Sequence, residues 1–341
     1  MLTKNFYQLK KIKYILKGIA SYFPDCISKY LPRHQLQFSG DGVREYPGKI
    51  AVARVCYSVW LRFLVSFYEC GLYPKIDTVV EIGPGDSLGV GLAALLSGAN
   101  NYFALDVVKT AYRYPNHEIL RELVFLFRHK ERILNDEEEP KMLPRLNSYK
   151  FPEYIFSDDK LNQLLNKERL EAVRNALLCL ERETLQGADN VGPISMHYFV
   201  PWDRDVPIKN NSVDVVIATA VMEHVEDIEM VYETAARWLK KGGIFANCID
   251  FKSHGTAGLW NGHWTYSDFV WKLVRGRSRF FINRQPHSVH KREMAKFFDI
   301  ISDITYRKPN LLRKSDLSCH FKMLDDDDLT ICSAYIIGKK K

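Results

Sequence analysis

The chain has 341 residues, enough for one large α/β domain with additions or for two smaller domains. Its 46% hydrophobic and 26% charged residues exclude a disordered chain and predict a packed core. The formal net charge of +7 is modest and spread along the chain, so it suits an anionic partner but does not favour nucleic acid. Seven cysteines without a C-x-x-C pair fit reduced thiols, and we expect a cytoplasmic protein.

Residues 1–74 are predicted to be a helical extension. The segment 1–23 reads as an amphipathic helix whose lysines interrupt every apolar run, so it is not a secretory signal. It either packs on the following domain or touches the inner face of a membrane, which would make the protein peripheral to it. The apolar stretch 51–73 approaches the length of a membrane span, but Arg54 and Arg62 interrupt it and favour a buried helix of a soluble protein.

A strand, a helix and a second strand follow at 77–83, 87–99 and 101–107, which predicts a β-α-β unit and a parallel sheet. The sequence then shows no strand-like run in 108–192, only helical patterns over 117–134 and 158–185. A crossover between parallel strands needs about a dozen residues. We therefore expect 108–192 to be a helical insertion that forms a lid over the site or an oligomer contact.

Strand and helix patterns resume after the insertion. The segment 252–290 is aromatic and polar with weak periodicity, and we expect it to contact the substrate. A turn is predicted at Gly242 and Gly243. The remaining predicted elements are strands at 195–200, 213–220, 244–251, 300–307 and 329–338, and helices at 227–241 and 291–298.

The loop after the first strand reads EIGPGDSLG. Backbone N–H groups at such a turn suit a dinucleotide or S-adenosylmethionine. The dinucleotide fingerprint G-x-G-x-x-G would need glycine at position 88, where this chain has Leu88. Glu81 would repel a pyrophosphate but attract the cationic methionine end of S-adenosylmethionine. Asp106 follows the loop by about 20 residues, where a carboxylate binds ribose hydroxyls.

The segment from Pro201 to Phe251 resembles the class I S-adenosylmethionine-dependent methyltransferases. The matching residues are Asp203, Val206, Pro207, Ser212, Asp214, Val221, Glu223, His224, Val225, Asp227, Lys241, Gly242 and Gly243. Together with the glycine loop and Asp106, the resemblance covers roughly residues 78–251 and the last two strands. It implies a methyltransferase domain over 75–340, with a doubly wound, mostly parallel, Rossmann-like sheet of seven strands whose last strand is antiparallel.

The resemblance also implies a set of residues that bind S-adenosylmethionine. Glu81, Gly83 and Gly85 are expected at the methionine end, Asp106 at the ribose, and Trp202 with Asp203 at the adenine. Thr219, at the end of the fourth strand, completes the set. Asp205 is an alternative to Asp203, and Trp202 is alternatively a core residue. The chain departs from the family pattern at Ser87, which replaces a third glycine, and at Asp86 beside it.

Methyl transfer to oxygen requires a base, and candidates follow the fourth and fifth strands. We expect His254 to be the general base, with Asp250 orienting it and His224 as a further catalytic residue. Glu223 and His263 are alternatives. The spacing of Asp250, His254 and Glu223 matches no recognised metal cluster, so no metal is predicted.

The insertion and the aromatic segment loosely resemble those of methyltransferases of bacterial surface-polysaccharide biosynthesis. This implies a glycan or other small-molecule acceptor, because aromatic faces stack on sugars while polar groups bond the hydroxyls. The chain has no N-P-P-Y-type tetrapeptide and no Pro-Cys dipeptide, which disfavours methylation of nucleic-acid bases. A lipid or quinone acceptor stays open, as does a protein that binds S-adenosylmethionine without catalysis.

Overall fold

The structure is a computed structural model that describes residues 2–22, 49–186, 192–202, 205–277 and 281–341. The strands are β1 (Thr78–Ile82), β2 (Asn101–Leu105), β3 (Ser195–Phe199), β4 (Val213–Thr219), β5 (Leu239–Asp250), β6 (Phe298–Arg307) and β7 (Ile331–Lys340). The α-helices are α1 (Leu2–Ala20), α2 (Lys49–Glu69), α3 (Gly89–Leu96), α4 (Asn116–Arg128), α5 (Asp158–Leu164), α6 (Lys167–Gln186), α7 (Ile228–Trp238), α8 (Asp268–Arg275) and α9 (His287–Ala295).

The seven strands form one sheet in the order β3-β2-β1-β4-β5-β7-β6. The pairs among β1 to β5 are parallel, whereas β7 runs antiparallel to both β5 and β6. This confirms the predicted doubly wound, mostly parallel sheet with an antiparallel last strand. The chain leaves β1 towards β2 on one side and reaches β4 on the other, so the carboxyl ends of β1 and β4 flank a crevice.

Both faces of the sheet are covered, which explains why β1 is buried along its whole length. One core packs α2, α3, α4 and α6 against the sheet. The second core lies on the other face, with α7 and α9. Because α2 contributes Tyr57, Trp60 and Phe63 to the first core, it is integral to the packing of the sheet. The division of the chain at residue 74 stays a prediction.

The two N-terminal helices differ in their contacts. None of the described helices is both long and apolar enough to cross a membrane, and Arg62 of α2 lies fully buried in protein. Helix α1 packs against α8 at Gly18, where an added Cβ would lie 1.8 Å from the carbonyl oxygen of Leu273. The Nζ of Lys11 donates to the carbonyl of Thr265 at 3.5 Å. Helix α1 is therefore attached to the aromatic segment and leaves Ile12 and Leu16 exposed.

Several predicted boundaries were wrong. The helix predicted over 158–185 is two helices, because Asn166 accepts a hydrogen bond from the backbone N–H of Arg169 and starts α6 anew. The helix predicted to reach residue 241 ends at Trp238, and β5 continues through Gly242 and Gly243 where a turn was expected. A register shift against β4 and the positive φ of Gly242, 77°, accommodate this extension.

Candidate active site

A cavity of about 1390 Å³ opens at the carboxyl ends of the parallel strands. Parallel sheets of this order bind ligands at this edge. The sequence-predicted site residues on its wall are Gly83, Gly85, Asp106, Thr219, His224, Asp250 and His254. Glu81 and Trp202 lie off the wall, and Asp203 lies outside the described residues. The structure thus brings together seven of the ten predicted side chains and backbone positions.

The glycine loop after β1 needs its glycines for two different reasons. Gly83 and Gly85 have φ of 72° and 70°, in the left-handed region that favours glycine. An added Cβ on Gly83 would lie only 2.3 Å from Cγ2 of Val221, whereas one on Gly85 would have no neighbour within 4 Å. Gly83 therefore permits close approach of the β1 and β4 loops, and Gly85 leaves its backbone open to the cavity.

The departures Asp86 and Ser87 have separate roles. The hydroxyl oxygen of Ser87 accepts from the N–H of Gly89 at 3.3 Å, and Oδ1 of Asn116 accepts from the N–H of Leu88 at 2.8 Å. These two side chains satisfy N–H groups at the start of α3. Ser87 replaces the third glycine of the family pattern and leaves this part of the loop with ordinary backbone geometry. Asp86 does not cap the helix but forms an ion pair of 3.0 Å with Arg113 on the cavity wall.

Asp106 is fixed at the end of β2 by its own backbone. Its Oδ1 accepts from the N–H groups of Val107 at 2.7 Å and Val108 at 3.2 Å. Burial raises the pKa of Asp106 above its ordinary value, although these hydrogen bonds act in the opposite sense. The carboxylate therefore keeps a defined orientation on the cavity wall.

Glu81 lies behind the glycine loop, in the core below α3. Its carboxylate accepts from the hydroxyl of Tyr102 at 2.5 Å, and the Tyr102 ring fills the space that Gly91 leaves. Burial raises the pKa of Glu81, the hydrogen bond from Tyr102 lowers it, and the charge of Asp106 raises it. The net result is a pKa of about 7. Glu81 therefore does not line the cavity, and its predicted role at the methionine end of the cofactor stays a prediction.

Trp202 is half-buried and packs against the second core beside β3. Its ring centroid lies 6.1 Å from that of Trp238, and its backbone N–H donates to the carbonyl of Asp106 at 3.1 Å. This is the core alternative that the sequence left open. Stacking of Trp202 on an adenine ring stays a prediction.

The two histidines on the wall face each other, with ring centroids 5.2 Å apart. Nδ1 of His224 lies 2.7 Å from the carbonyl oxygen of Phe281, and since a carbonyl only accepts, Nδ1 carries the proton. Burial lowers the pKa of His224 below its ordinary value, the carbonyl of Phe281 acts in the opposite sense, and the charge of His254 lowers it further. The ring is neutral near pH 7, so its Nε2 holds a lone pair.

His254 is held in an unusual backbone conformation beside an acid. Its φ is 46°, in the left-handed region that a histidine rarely adopts, and such backbone strain is common at functional sites. Its Nε2 lies 3.4 Å from Oδ2 of Asp250, which also forms an ion pair of 2.6 Å with Lys252. Among the described residues Nε2 has no hydrogen-bond partner, so His254 and Asp250 are in contact without a hydrogen bond.

Asp250 is the carboxylate that contacts both His254 and Lys252. Burial alone would raise its pKa, but the neighbouring His254 ring and the Lys252 ammonium outweigh burial and hold that pKa below its usual range. The N–H of Lys252 also donates to Oδ1 of Asp250 at 2.8 Å. An ionised Asp250 therefore orients His254 over the whole neutral pH range.

The alternatives Glu223 and His263 do not lie on the wall. Within the part of the chain that the structure describes, neither carboxyl oxygen of buried Glu223 has a hydrogen-bond partner. Burial and the charge of Asp250 raise the pKa of Glu223 well above its ordinary value, which favours its neutral form. Burial, together with the charge of Arg284, lowers the pKa of His263 to about 3, which makes it a neutral core residue. In the described ranges, no group of three or more metal-ligating side chains is assembled.

The sequence did not reveal what holds the insertion over the cavity. The buried guanidinium of Arg62 donates to the carbonyls of Leu134 at 2.7 Å, Met142 at 2.7 Å and Pro144 at 2.9 Å. It also forms an ion pair of 3.2 Å with Asp136. Its hydrogen bonds hold the 134–144 loop, whose residues Met142 and Leu143 line the cavity. An arginine in an otherwise apolar helix was the available signal, because such a charge needs buried partners.

Residues 179–247 match a family described as a methyltransferase domain. The matched range carries Thr219 and His224 of the cavity wall and most of β5. The comparison with curated proteins found no match. The domain match supports S-adenosylmethionine-dependent methyl transfer with S-adenosylmethionine as the cofactor.

Solved structures resemble this chain at low identity. An S-adenosylmethionine-dependent methyltransferase from Methanosarcina mazei is 12% identical, with 79% of this chain and 94% of that chain covered and a TM-score of 0.39. One from Mesorhizobium loti is 10% identical, with 81% and 96% covered and a TM-score of 0.38. Phosphoethanolamine N-methyltransferase 2 from Haemonchus contortus, in complex with S-adenosyl-L-methionine, is 12% identical, with 82% and 52% covered and a TM-score of 0.40.

Proposed function

We propose that this chain is an S-adenosylmethionine-dependent O-methyltransferase that acts on a sugar, a glycan or another small molecule. The observation that carries the proposal is that one cavity is lined both by the glycine loop with Asp106 and by the His254 and Asp250 pair. The first set suits the cofactor and the second suits a hydroxyl that must lose a proton. We call these two sets, with their neighbours, the cofactor half and the acceptor half of the cavity.

The residues of the cofactor half fit S-adenosylmethionine. The open space beside Gly85 leaves room for an amino-acid end, and the carboxylate of Asp106 suits ribose hydroxyls. Glu81 adds negative potential behind the loop, which favours the cofactor's ammonium and sulfonium charges. When bound, the cofactor supplies an electrophilic methyl group. The protein then has to hold the acceptor in line and exclude water.

In the acceptor half, His254 takes the proton of the acceptor hydroxyl at Nδ1. Asp250 faces Nε2 and stabilises the imidazolium that forms. His224 packs against the His254 ring and keeps it in place. Trp271 and Phe281 lie on the same wall and give it an aromatic surface for the organic part of the acceptor. We also propose that the acceptor is a compound of surface-polysaccharide biosynthesis. A lipid or quinone acceptor is the alternative.

Calorimetry with S-adenosylmethionine and with NADH tests the cofactor. We expect only S-adenosylmethionine to bind, and Asp106→Ala to weaken it, whereas Asp299→Ala, a control on β6 away from the cavity wall, leaves it unchanged. Binding of NADH alone would contradict the proposal. A screen of sugars, glycans, quinones and lipids with methyl-labelled cofactor then tests turnover. Cofactor binding without transfer to any acceptor would favour a non-catalytic binding protein.

Contact of α1 with a membrane stays a proposal as well. Ile12 and Leu16 are 52% and 60% exposed, one helical turn apart, and Lys13 beside them is also exposed. Exposed apolar side chains next to lysines suit the surface of an anionic membrane. Sedimentation with phosphatidylglycerol vesicles tests this, with the Ile12→Asp, Leu16→Asp double variant expected to remain in solution. Equal sedimentation of both proteins would remove the proposal.

A further inference from the structure

The wall of the cavity carries more positive than negative charge. Eight of the twelve charged side chains on its described part are lysines or arginines. Two of the four acids are neutralised within the wall, since Asp86 pairs with Arg113 and Asp250 pairs with Lys252. A third, Asp106, belongs to the cofactor half. Positive charge without an acidic partner on the wall therefore remains, and part of it lies outside the cofactor half.

Part of this charge gathers around Tyr306, at the carboxyl end of β6. The hydroxyl of Tyr306 accepts from the backbone N–H of Arg145 at 3.1 Å, and the Arg145 guanidinium lies 5.2 Å from the centroid of the Tyr306 ring. Arg307 and Lys308 follow Tyr306 in the chain, and all four residues line the cavity. We call Arg145, Arg307 and Lys308 the basic cluster.

Existing acids satisfy the basic cluster only in part. The acid nearest Arg145 is Asp136, at 3.7 Å, which already makes the closer pair of 3.2 Å with buried Arg62. Arg307 pairs with the largely exposed Asp327 at 2.9 Å, a contact that solvent weakens. Among the residues that the structure describes, Lys308 has no carboxylate partner. The basic cluster is thus able to accept an anion from the cavity.

The sheet sets the spacing between the strands that carry the His254 and Asp250 pair and the basic cluster. Asp250 on β5 pairs with Ser333 on β7, which pairs with Tyr306 on β6. Two strand spacings separate Asp250 from Tyr306, which is about 10 Å. That length suits a molecule that presents a hydroxyl to His254 at one end and an anionic group to the cluster at the other.

We propose that Arg145, Arg307 and Lys308 bind a phosphoryl group of the methyl acceptor, so that the substrate is a phosphorylated sugar or alcohol and not a neutral one. The inference rests on the proposed methyltransferase function. Guanidinium and ammonium groups are the side chains that recognise phosphoryl oxygens, and the surrounding aromatic residues accommodate the organic part. The phosphoryl group comes from a sugar phosphate, a nucleoside diphosphate sugar or a phosphorylated lipid.

Calorimetry with inorganic pyrophosphate tests the cluster, in protein first saturated with S-adenosylmethionine so that the cofactor half is filled. We expect wild-type protein to bind pyrophosphate, and Arg145→Ala and Lys308→Ala to weaken it about tenfold each. Arg145→Lys retains charge and should keep most of the binding. Lys209→Gln, an exposed control off the cavity wall, should change nothing. No binding by wild type, or equal binding by all variants, would overturn the proposal.

Saturation with S-adenosylmethionine distinguishes a failure of the proposed function from a failure of the proposed phosphoryl site. Absence of S-adenosylmethionine binding refutes the proposed function, whereas cofactor binding without a pyrophosphate site refutes only the cluster. Labelled-methyl assays with a hexose phosphate, a nucleoside diphosphate sugar and a phosphoprenyl lipid then identify the source of the phosphoryl group. Methylation of neutral sugars, with none of these three modified, would also overturn the inference.

Discussion

The two halves of the cavity are built in different ways. In the cofactor half, the ligand groups are backbone at Gly83 and Gly85 and one carboxylate, Asp106, and all three follow directly from β1 and β2. In the acceptor half, His224 and His254 are joined by side chains from the insertion and from the β6 and β7 edge. Neighbouring strands place the first half, and contacts between residues far apart in sequence place the second.

This difference shows where specificity resides in the chain. The cofactor half depends on backbone that two neighbouring strands place. The acceptor half depends on how the insertion is held, and the buried Arg62 does this from a helix about 75 residues earlier in the chain. Changes in the acceptor half should therefore alter turnover and acceptor binding while the cofactor half stays intact.

Replacement of His254 should have the largest effect. His254→Asn keeps a side chain that tolerates the left-handed backbone but removes the base, so we expect kcat to fall about 10²-fold to 10⁴-fold. The dissociation constant for S-adenosylmethionine should not change, because His254 belongs to the acceptor half. Kinetics with the acceptor found in the labelled-methyl screen and calorimetry with the cofactor measure the two quantities.

His224→Ala is the matched variant. We expect a loss of only about tenfold, because His224 positions the His254 ring and does not take the proton itself. A loss as large as that of His254→Asn would assign the base to Nε2 of His224, whose lone pair the carbonyl of Phe281 fixes. The pH profile of kcat distinguishes the two, because burial lowers the pKa of His224 and a base at that nitrogen would remain active at lower pH.

Arg62→Met should lower the free energy of unfolding by releasing the insertion that lines the acceptor half. The loss leaves the carbonyls of Leu134, Met142 and Pro144 without their donor, and removing one partner of a buried ion pair costs about 3–5 kcal/mol. Arg54→Met on the same helix removes a partly exposed pair with Glu131 and should cost about 1 kcal/mol or less. Urea unfolding measures both. Equal losses would show that Arg62 does not hold the insertion.

The sequence predicted wall residues of both halves, but not the contacts that hold the acceptor half together. Gly83, Gly85 and Asp106 are local to strands whose apolar runs are visible in the chain, so their places follow once the sheet is predicted. The long-range contacts of Arg62 with 134–144 and of Tyr306 with Arg145 have no periodic signal. Glu81 was predicted at the ligand, but its strand position turns it towards Tyr102, behind the loop.

Alanine at the two loop glycines should break the cofactor half unequally. Gly83→Ala adds a methyl group 2.3 Å from Val221 as well as backbone strain at positive φ, so we expect S-adenosylmethionine binding to weaken about 30-fold to 100-fold. Gly85→Ala has the same positive φ but no clash, and should cost about tenfold or less. Calorimetry measures both affinities, and an equal loss would mean that the contact with Val221 is unimportant.

The stability of the protein should depend on pH through Glu81. Its pKa is about 7 in the folded protein, above its ordinary value of 4.5, so the folded state binds the proton more tightly than the unfolded state does. Its contribution to the free energy of unfolding should therefore fall as pH rises from about 4.5 to 7, by about 3 kcal/mol in total. The measurement is urea unfolding of wild type and Glu81→Gln without cofactor, from pH 4.5 to 8.

The difference between these two proteins isolates Glu81, because the buried histidines contribute equally to both. Binding of S-adenosylmethionine to the wild type should show the opposite pH dependence. Its positive charge stabilises the ionised carboxylate, so its affinity should rise as pH approaches and passes 7. Glu81→Gln should lose that pH dependence. An affinity that is independent of pH in the wild type would show that Glu81 does not act on the ligand across the loop, and would confine its role to the bond with Tyr102.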